Sequence, residues 1–157
     1  MSCKWIEKIG LAAFREDRLL VVRKRGGAAF ILPGGKPEGD ENDLATLSRE
    51  VDEELGCAVA QPILSGVFTD KAAGIDNAVI VVRLYMGELV GKPLPRSEIQ
   101  EIAWLDIKKP DSLPLAPSIV NYILPHLRRR AKRAARASAA ESGQPASQHV
   151  QGLLELL

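Results

Sequence analysis

Cysteine is scarce. Only Cys3 and Cys57 occur in the 157 residues, and their spacing is not of a metal-binding type. That argues against a disulfide framework and for a reduced, cytoplasmic protein. Long apolar runs are missing too: none approaches the roughly 20 residues of a membrane helix. The first ten residues, MSCKWIEKIG, hold no apolar stretch fit for a secretory signal. There is no excess of one charge, because 21 Lys+Arg face 20 Asp+Glu for a net +1, so bulk charge points to no partner. With only two histidines, no Ser/His/Asp nucleophile triad stands out. What remains is ordinary globular usage, 46% hydrophobic and 26% charged, at a length that suits one compact domain.

The balanced charge hides a split. Residues 128–157 carry six basic side chains, from Arg128 to Arg136, against Glu141 and Glu155. Their net +4 leaves −3 for residues 1–127. Eight carboxylates crowd into residues 38–54, where Arg49 is the only base. Like charges this dense repel, so a counter-ion is expected among them.

Local pattern supplies the elements. Lys4 to Phe14 and Arg18 to Arg25 read as a strand hairpin, and Ala28 to Leu32 as a short strand ending at Pro33-Gly34-Gly35. Asp43 to Leu55 reads as a helix, with Leu44, Leu47, Val51 and Leu55 as its core stripe and Gly56 as its stop. Further strands are expected over Ile63 to Thr69, Ala78 to Gly87 and Glu101 to Asp106, the run AVIVVRLYM being central. A second helix starts at Pro117 with Val120, Ile123, Leu124 and Leu127 inward, and Pro125 is expected to kink or end it. Strands interleaved with two helices define a layered α/β domain. The expected division is a domain over 1–127 and a basic Ala/Arg-rich extension over 128–157, helical or partly disordered. Within the extension, ASAAESGQPASQ reads as a linker, and VQGLLELL as an apolar segment for its own domain or a second subunit.

The chemistry lies in GKPEGDENDLATLSREVDEELGC, Gly35 to Cys57. Glu50, Glu53 and Glu54 stand at i, i+3 and i+4, neighbours on one helix face beside the apolar stripe. Converging carboxylates raise one another's pKa unless a cation neutralises them. All-oxygen ligands suit Mg²⁺ or Mn²⁺, which complete their shells with water and substrate phosphates. Gly34-Gly35 supplies a tight turn whose backbone can approach a ligand.

The spacing resembles the Nudix box, G-x5-E-x7-R-E-U-x-E-E-x-G-U, where U is a bulky aliphatic residue. Gly35, Glu41, Arg49, Glu50, Val51, Glu53, Glu54 and Gly56 fall in register, and only Cys57 departs, at a packing position. FILPGG, Glu38 and EIAWLD also resemble the family's surroundings, so the likeness spans Lys4 to Leu127. It implies a Nudix-type α/β/α sandwich with a mixed β-sheet. It also implies a Mg²⁺- or Mn²⁺-dependent pyrophosphohydrolase that cleaves a nucleoside diphosphate linked to another group. By that likeness Glu50, Glu53, Glu54 and the Gly35 carbonyl bind the metal, Arg49 holds a helix carboxylate with Glu53 in reach, and Glu41 supports the loop–helix junction. Glu38 would contact metal-bound water.

Outside the box, Glu101 and Glu98 are candidates for the general base, and Arg23, Lys24 and Arg25 for substrate phosphates, with Gly34 beside them. His126 is expected to cap the helix or lie on the surface. Trp104, Phe30 and Phe68 are expected in the core before a nucleobase pocket. A short chain resembles the MutT-like group, and no proline in DKAAGID disfavours ADP-ribose, so a nucleoside triphosphate, oxidised or not, is the expected substrate. ADP-ribose, nucleotide sugars, an RNA 5′ end clamped by the basic tail, and a catalytically silent ligand-binding module are the alternatives. A homodimer is compatible; nucleic acid is a partner only in the RNA reading.

Overall fold

The computed structural model describes residues 2–72 and 75–142. Nine elements matter: β1 (Lys4–Ala12), β2 (Phe14–Arg15), β3 (Arg18–Lys24), β4 (Gly34–Gly35), α1 (Asp43–Leu55), β5 (Ala58–Lys71), β6 (Ala78–Val90), β7 (Ile99–Asp106) and α2 (Leu124–Ser142). One sheet runs β4-β1-β6-β5 and the other β2-β3-β7. The first is mixed: β1 and β6 are parallel, and the β1–β4 and β5–β6 pairs are antiparallel. AVIVVRLYM lies in β6, between β1 and β5 as expected.

β3 shows how the layers form. Its residues alternate between two cores, Leu19 and Val21 on one side, Leu20 and Val22 on the other. A strand covered on both faces reads as a continuous apolar run, which is why RLLVVRK has no polar alternation. Leu47, Val51 and Leu55 of α1 close one core. Ile119, Ile123, Leu124 and Leu127 close the other. The result is the α/β/α sandwich.

Several local expectations change. Ala28 to Leu32 is not a strand: only the single bridges Val22↔Ile31 and Phe30↔Leu115 hold it. The segment expected as one strand to Phe14 divides into β1 and β2. β5 begins five residues early, at Ala58, and carries shifts between Ala60 and Ile63 and between Leu64 and Gly66. Pro62, which has no N–H to pair, and Gln61 at φ 52° sit inside the first shift.

α1 obeys its end signals. The Asn42 side chain accepts the Ala45 N–H at 2.8 Å, and Gly56 stops the helix at φ 67°. Its inward stripe differs from the expected one. Leu44 is 48% exposed, whereas Glu54 is 1% exposed beside Leu55 and Val51. Pro125 does not end the second helix, which continues to Ser142. A π-helical turn over Ile119–Ile123 precedes it, and the Leu124 N–H donates to the Ile119 carbonyl. This wider turn changes the register just before the residue that cannot donate. Ile119 thereby becomes buried, and Val120 is left 49% exposed. α2 carries residues 137–142 of the expected linker as helix; its remainder and VQGLLELL lie outside the described residues. Among the described residues, no helix is long and apolar enough to cross a membrane.

Candidate active site

β4 brings the glycine turn onto β1, with Gly35 opposite Ile9 and Gly34 opposite Gly10. Both positions require glycine. A Cβ on Gly34, at φ 141°, would fall 1.9 Å from the Ile9 carbonyl oxygen. One on Gly35 would fall 2.4 Å from the Glu50 carboxyl. The backbone of the turn thus lies directly against the first glutamate of the acidic helix.

The three glutamates occupy three environments. Glu54 is buried, and its Oε1 accepts the Gly34 N–H at 3.1 Å. Its Oε2 is buried with no hydrogen-bond partner. Burial pushes the Glu54 carboxyl up to about 7, against the opposing pull of the Gly34 N–H and of Lys8. Glu50 accepts from Arg49 Nη1 at 2.9 Å with its side chain 13% exposed. Glu53 is 52% exposed and meets the same nitrogen at 3.5 Å. Among the described residues, no three metal-type side chains converge on one point.

Arg49 organises the junction, with a different main partner from the one expected. Its Nε and Nη2 donate to the two oxygens of Glu41 at 2.8 and 2.9 Å, and Nη2 also reaches the Lys36 carbonyl at 3.1 Å. Glu53, the partner expected at i+4, is the more distant contact. Glu41 in turn accepts the Glu38 N–H and the Thr46 hydroxyl. The Arg49 hydrogen bonds hold its carboxyl down to about 2. Glu41 is therefore a structural carboxylate that ties loop to helix.

A cleft of about 580 Å³ opens at this junction, lined by Lys8, Lys24, Gly34, Gly35, Lys36, Glu38, Glu50 and Glu98. It adjoins a mainly apolar cavity of about 250 Å³ formed by Ile6, Ile31, Ile80, Ile119 and Ile123 with Lys71 and Ser118. Lys8 and Lys36 line both. Lys8 donates to the Leu32 carbonyl at 3.0 Å, and burial lowers its amine to about 8 despite Glu54 and Glu50.

The candidates outside the acidic helix divide between cleft and surroundings. Arg23 is engaged by Glu101 at 2.7 Å and by the Gly27 carbonyl at 3.0 Å. Arg25 meets Glu98 through its backbone N–H. Lys24, between them, is the one of the three that lines the cleft, and Glu98 lines it where Glu101 does not. Phe30 is core, and Trp104 packs on the α1 core with the Arg15 guanidinium 5.0 Å over its ring. His126 is neither cap nor free surface: it is half-buried, with Nε2 2.8 Å from the Ser65 hydroxyl. Sequence reasoning overlooked Lys8 and Lys36. A lysine two residues after Ile6, on the same face of β1 as that buried side chain, was the available signal for Lys8.

The donor set fits a hard divalent cation. Magnesium asks for one or two carboxylates and takes its other oxygens from water and phosphate. An orphaned buried oxygen on Glu54, Glu50 next to it in sequence register and a glycine backbone pressed against Glu50 meet that requirement.

Comparison with known proteins agrees. The NUDIX domain family matches residues 7–127, and the chain belongs to that family. The Nudix hydrolase YvcI of Bacillus subtilis is 30% identical over 105 residues, covering 65% of this chain and 66% of YvcI. The m7GpppN-mRNA hydrolase of Saccharomyces cerevisiae is 30% identical over 118 residues, 73% of this chain but 12% of the yeast protein. The chain thus spans just under two thirds of one relative and a small part of the other. The solution structure of the E. coli ORF135 protein superposes with a TM-score of 0.69 at 24% identity, over 85% of this chain and 94% of that one, which shows the shared fold. The MutT protein of Bacillus halodurans gives 0.64 at 25%, over 77% and 80%.

Proposed function

We propose that the protein is a divalent-cation-dependent pyrophosphohydrolase that cleaves a nucleoside diphosphate linked to another group. A nucleoside triphosphate, converted to monophosphate and pyrophosphate, is the substrate we favour. The observation that carries this reading is the junction of two spaces: a carboxylate- and lysine-lined cleft opens directly onto an apolar cavity of nucleobase size. Family membership supplies the reaction class, and the YvcI and MutT similarities support it.

In this reading Glu50, Glu54 and the Gly35 carbonyl hold the cation, with Glu53 free to join from the surface. When bound there, a divalent cation would supply charge neutralisation for the phosphates and a more acidic water. Lys8, Lys24 and Lys36 draw the polyphosphate into the cleft and offset its charge. Water attacks phosphorus, the anhydride P–O bond breaks, pyrophosphate leaves, and the proton passes to a carboxylate. Glu98 is better placed for that proton than Glu101, which Arg23 occupies. Arg49 and Glu41 position Glu50 without touching substrate. Positioning and charge do most of the work in such transfers.

A nucleotide panel with Mg²⁺, resolved by HPLC, tests this. Pyrophosphate and monophosphate should appear with Mg²⁺ and vanish with chelator. Intact triphosphates beside cleaved ADP-ribose would reverse the choice of substrate.

A further inference from the structure

β1 separates two spaces, because successive side chains of a strand point to opposite faces. On one face Ile6 and Lys8 line the apolar cavity and the carboxylate cleft. On the other stand Trp5 and Glu7, paired in register with Val79 and Val81 of β6. Further along that second face, Ile9 and Leu11 are buried in the core that α1 closes. Trp5 is left 64% exposed. An indole in that position presents a flat apolar face that the fold does not use and the reaction described above does not need.

Trp5, Glu7, Lys36, Pro37 and Val81 line an open space of about 460 Å³. It is continuous with the site. Lys36 and Pro37 also line the carboxylate cleft, and Lys36 lines the apolar cavity as well. Lys36 follows Gly35 directly, and Arg49 holds its carbonyl at 3.1 Å. One cation therefore stands where all three spaces meet. Glu7 is steadied at the floor of the open one. Arg83 Nη1 meets its Oε1 at 3.3 Å, and Asp43 clamps Arg83 in turn at 3.0 Å.

A flat ring with a carboxylate two residues along the same strand face matches a nucleobase. The base stacks on the indole, and its exocyclic amine donates to Glu7. Lys36 meets the phosphate that joins such a base to the cleft. We propose that Trp5, Glu7 and Lys36 form a second nucleoside subsite, so that the substrate spans three spaces: one base in the apolar cavity, phosphates in the carboxylate cleft, and a second base stacked on Trp5. The ligand class is a dinucleoside polyphosphate whose second base carries an amino group. This rests on the pyrophosphohydrolase reading and assigns the group at the far end of its phosphate chain. Water attacks one phosphorus, one anhydride P–O bond breaks, the severed phosphate keeps the electron pair, and two nucleotides separate as the proton passes to a carboxylate.

The test uses the full chain with diadenosine tetraphosphate, diuridine tetraphosphate, adenosine triphosphate and a nucleotide sugar, each with Mg²⁺. Binding is read separately, as quenching of tryptophan fluorescence by a methylene-bridged diadenosine analogue that cannot be cleaved. Trp5→Ala should raise KM for the diadenosine compound about tenfold with kcat kept, and should abolish the quenching. Trp5→Phe, which keeps a ring, should restore much of the KM. The triphosphate has no second nucleoside, so its KM should not move, nor should the melting temperature of the protein. Glu7→Ala should weaken the diadenosine compound and leave the diuridine one, which has no exocyclic amine, as in wild type. An unchanged diadenosine KM in Trp5→Ala, an equal loss for the triphosphate, or a nucleotide sugar that is cleaved as well and depends on Trp5 as much each overturns the second nucleoside. If the analogue quenches Trp5 yet nothing is cleaved, the subsite stands and the hydrolase reading falls. If the triphosphate is cleaved and the diadenosine compounds neither quench nor react, only the subsite falls.

Discussion

Helices α1 and α2 are both densely charged, and they spend that charge in opposite ways. In α1 most of the charges are committed to partners. Arg49 reaches Glu41, Glu50 and Glu53, Asp43 binds Arg83 and Tyr85, and Glu54 is buried against Gly34. In α2, Arg129, Arg133 and Arg136 are exposed and carry no ion pair among the described residues. One helix uses charge to fix backbone and carboxylates before a ligand arrives. The other keeps its charge at the surface. Density of charge along a sequence therefore says little until its wiring is known. A prearranged cluster should break sharply when one member is removed, whereas a solvated row should fade step by step.

The largest effect should come from the buried end of the wired helix. Glu54→Gln keeps an oxygen for the Gly34 N–H, so the fold should persist, but it removes the ionisable oxygen that has no protein partner. Mg²⁺-dependent pyrophosphate release should fall about a hundredfold or more, with far-UV circular dichroism unchanged. Full activity in this variant would remove Glu54 from the site. Next comes Arg49→Ala, which strips Glu41 and Glu50 of their donor together. It should lower stability by about 2 kcal/mol in urea unfolding and reduce kcat as well. Arg49→Lys should rescue little, because one ammonium cannot serve the two Glu41 oxygens and Glu50 at once. A lysine variant that matches wild type would show the wiring to be ordinary surface pairing.

The sequence carried this wiring unevenly. Box spacing places Gly35, Arg49, Glu50 and Glu54 in one neighbourhood because a turn and a helix are local structures, and local spacing fixes which side chains are adjacent. It could not place Glu54 inside the apolar stripe and Leu44 outside. That choice depends on which side of α1 meets Ile9, Leu11 and Leu20, a matter of tertiary packing. The same limit hid Glu101, whose availability depends on Arg23 78 positions away in sequence, across the β3–β7 ladder. Val120 was misplaced for another reason: a π turn breaks the 3.6-residue period on which the inward stripe was counted. The two sheets and the parallel β1–β6 pair follow no local signal at all, although the apolar run of β6 marked that strand as central.

A smaller test concerns the other anchored end of α1. Burial alone would raise the Asp43 carboxyl, but hydrogen bonds from Arg83 and Tyr85 outweigh it and hold the group below its ordinary range. A carboxyl lowered in the folded state stabilises the fold above its unfolded pKa, and the benefit disappears as pH falls through the folded value. Asp43→Asn should therefore cost about 1 to 2 kcal/mol in urea at neutral pH. The difference from wild type should shrink steadily as the solution is acidified below pKa 3.8, the ordinary value for this group. A gap that stays constant on acidification would mean that geometry, not charge, anchors this end.

The smallest effect belongs to the unwired helix. Arg136→Ala removes one exposed cation that contributes no ion pair among the described residues. Alanine is also the better helix former, so urea unfolding should change by no more than about 0.5 kcal/mol, in the stabilising direction if at all. That null result discriminates. If α2 resembled α1, loss of Arg136 would uncover a buried or paired carboxylate and cost several times more. If its charge is solvated, stability stays flat. A destabilisation above about 1 kcal/mol would show that Arg136 is wired into the fold after all, and would end the contrast between the two helices.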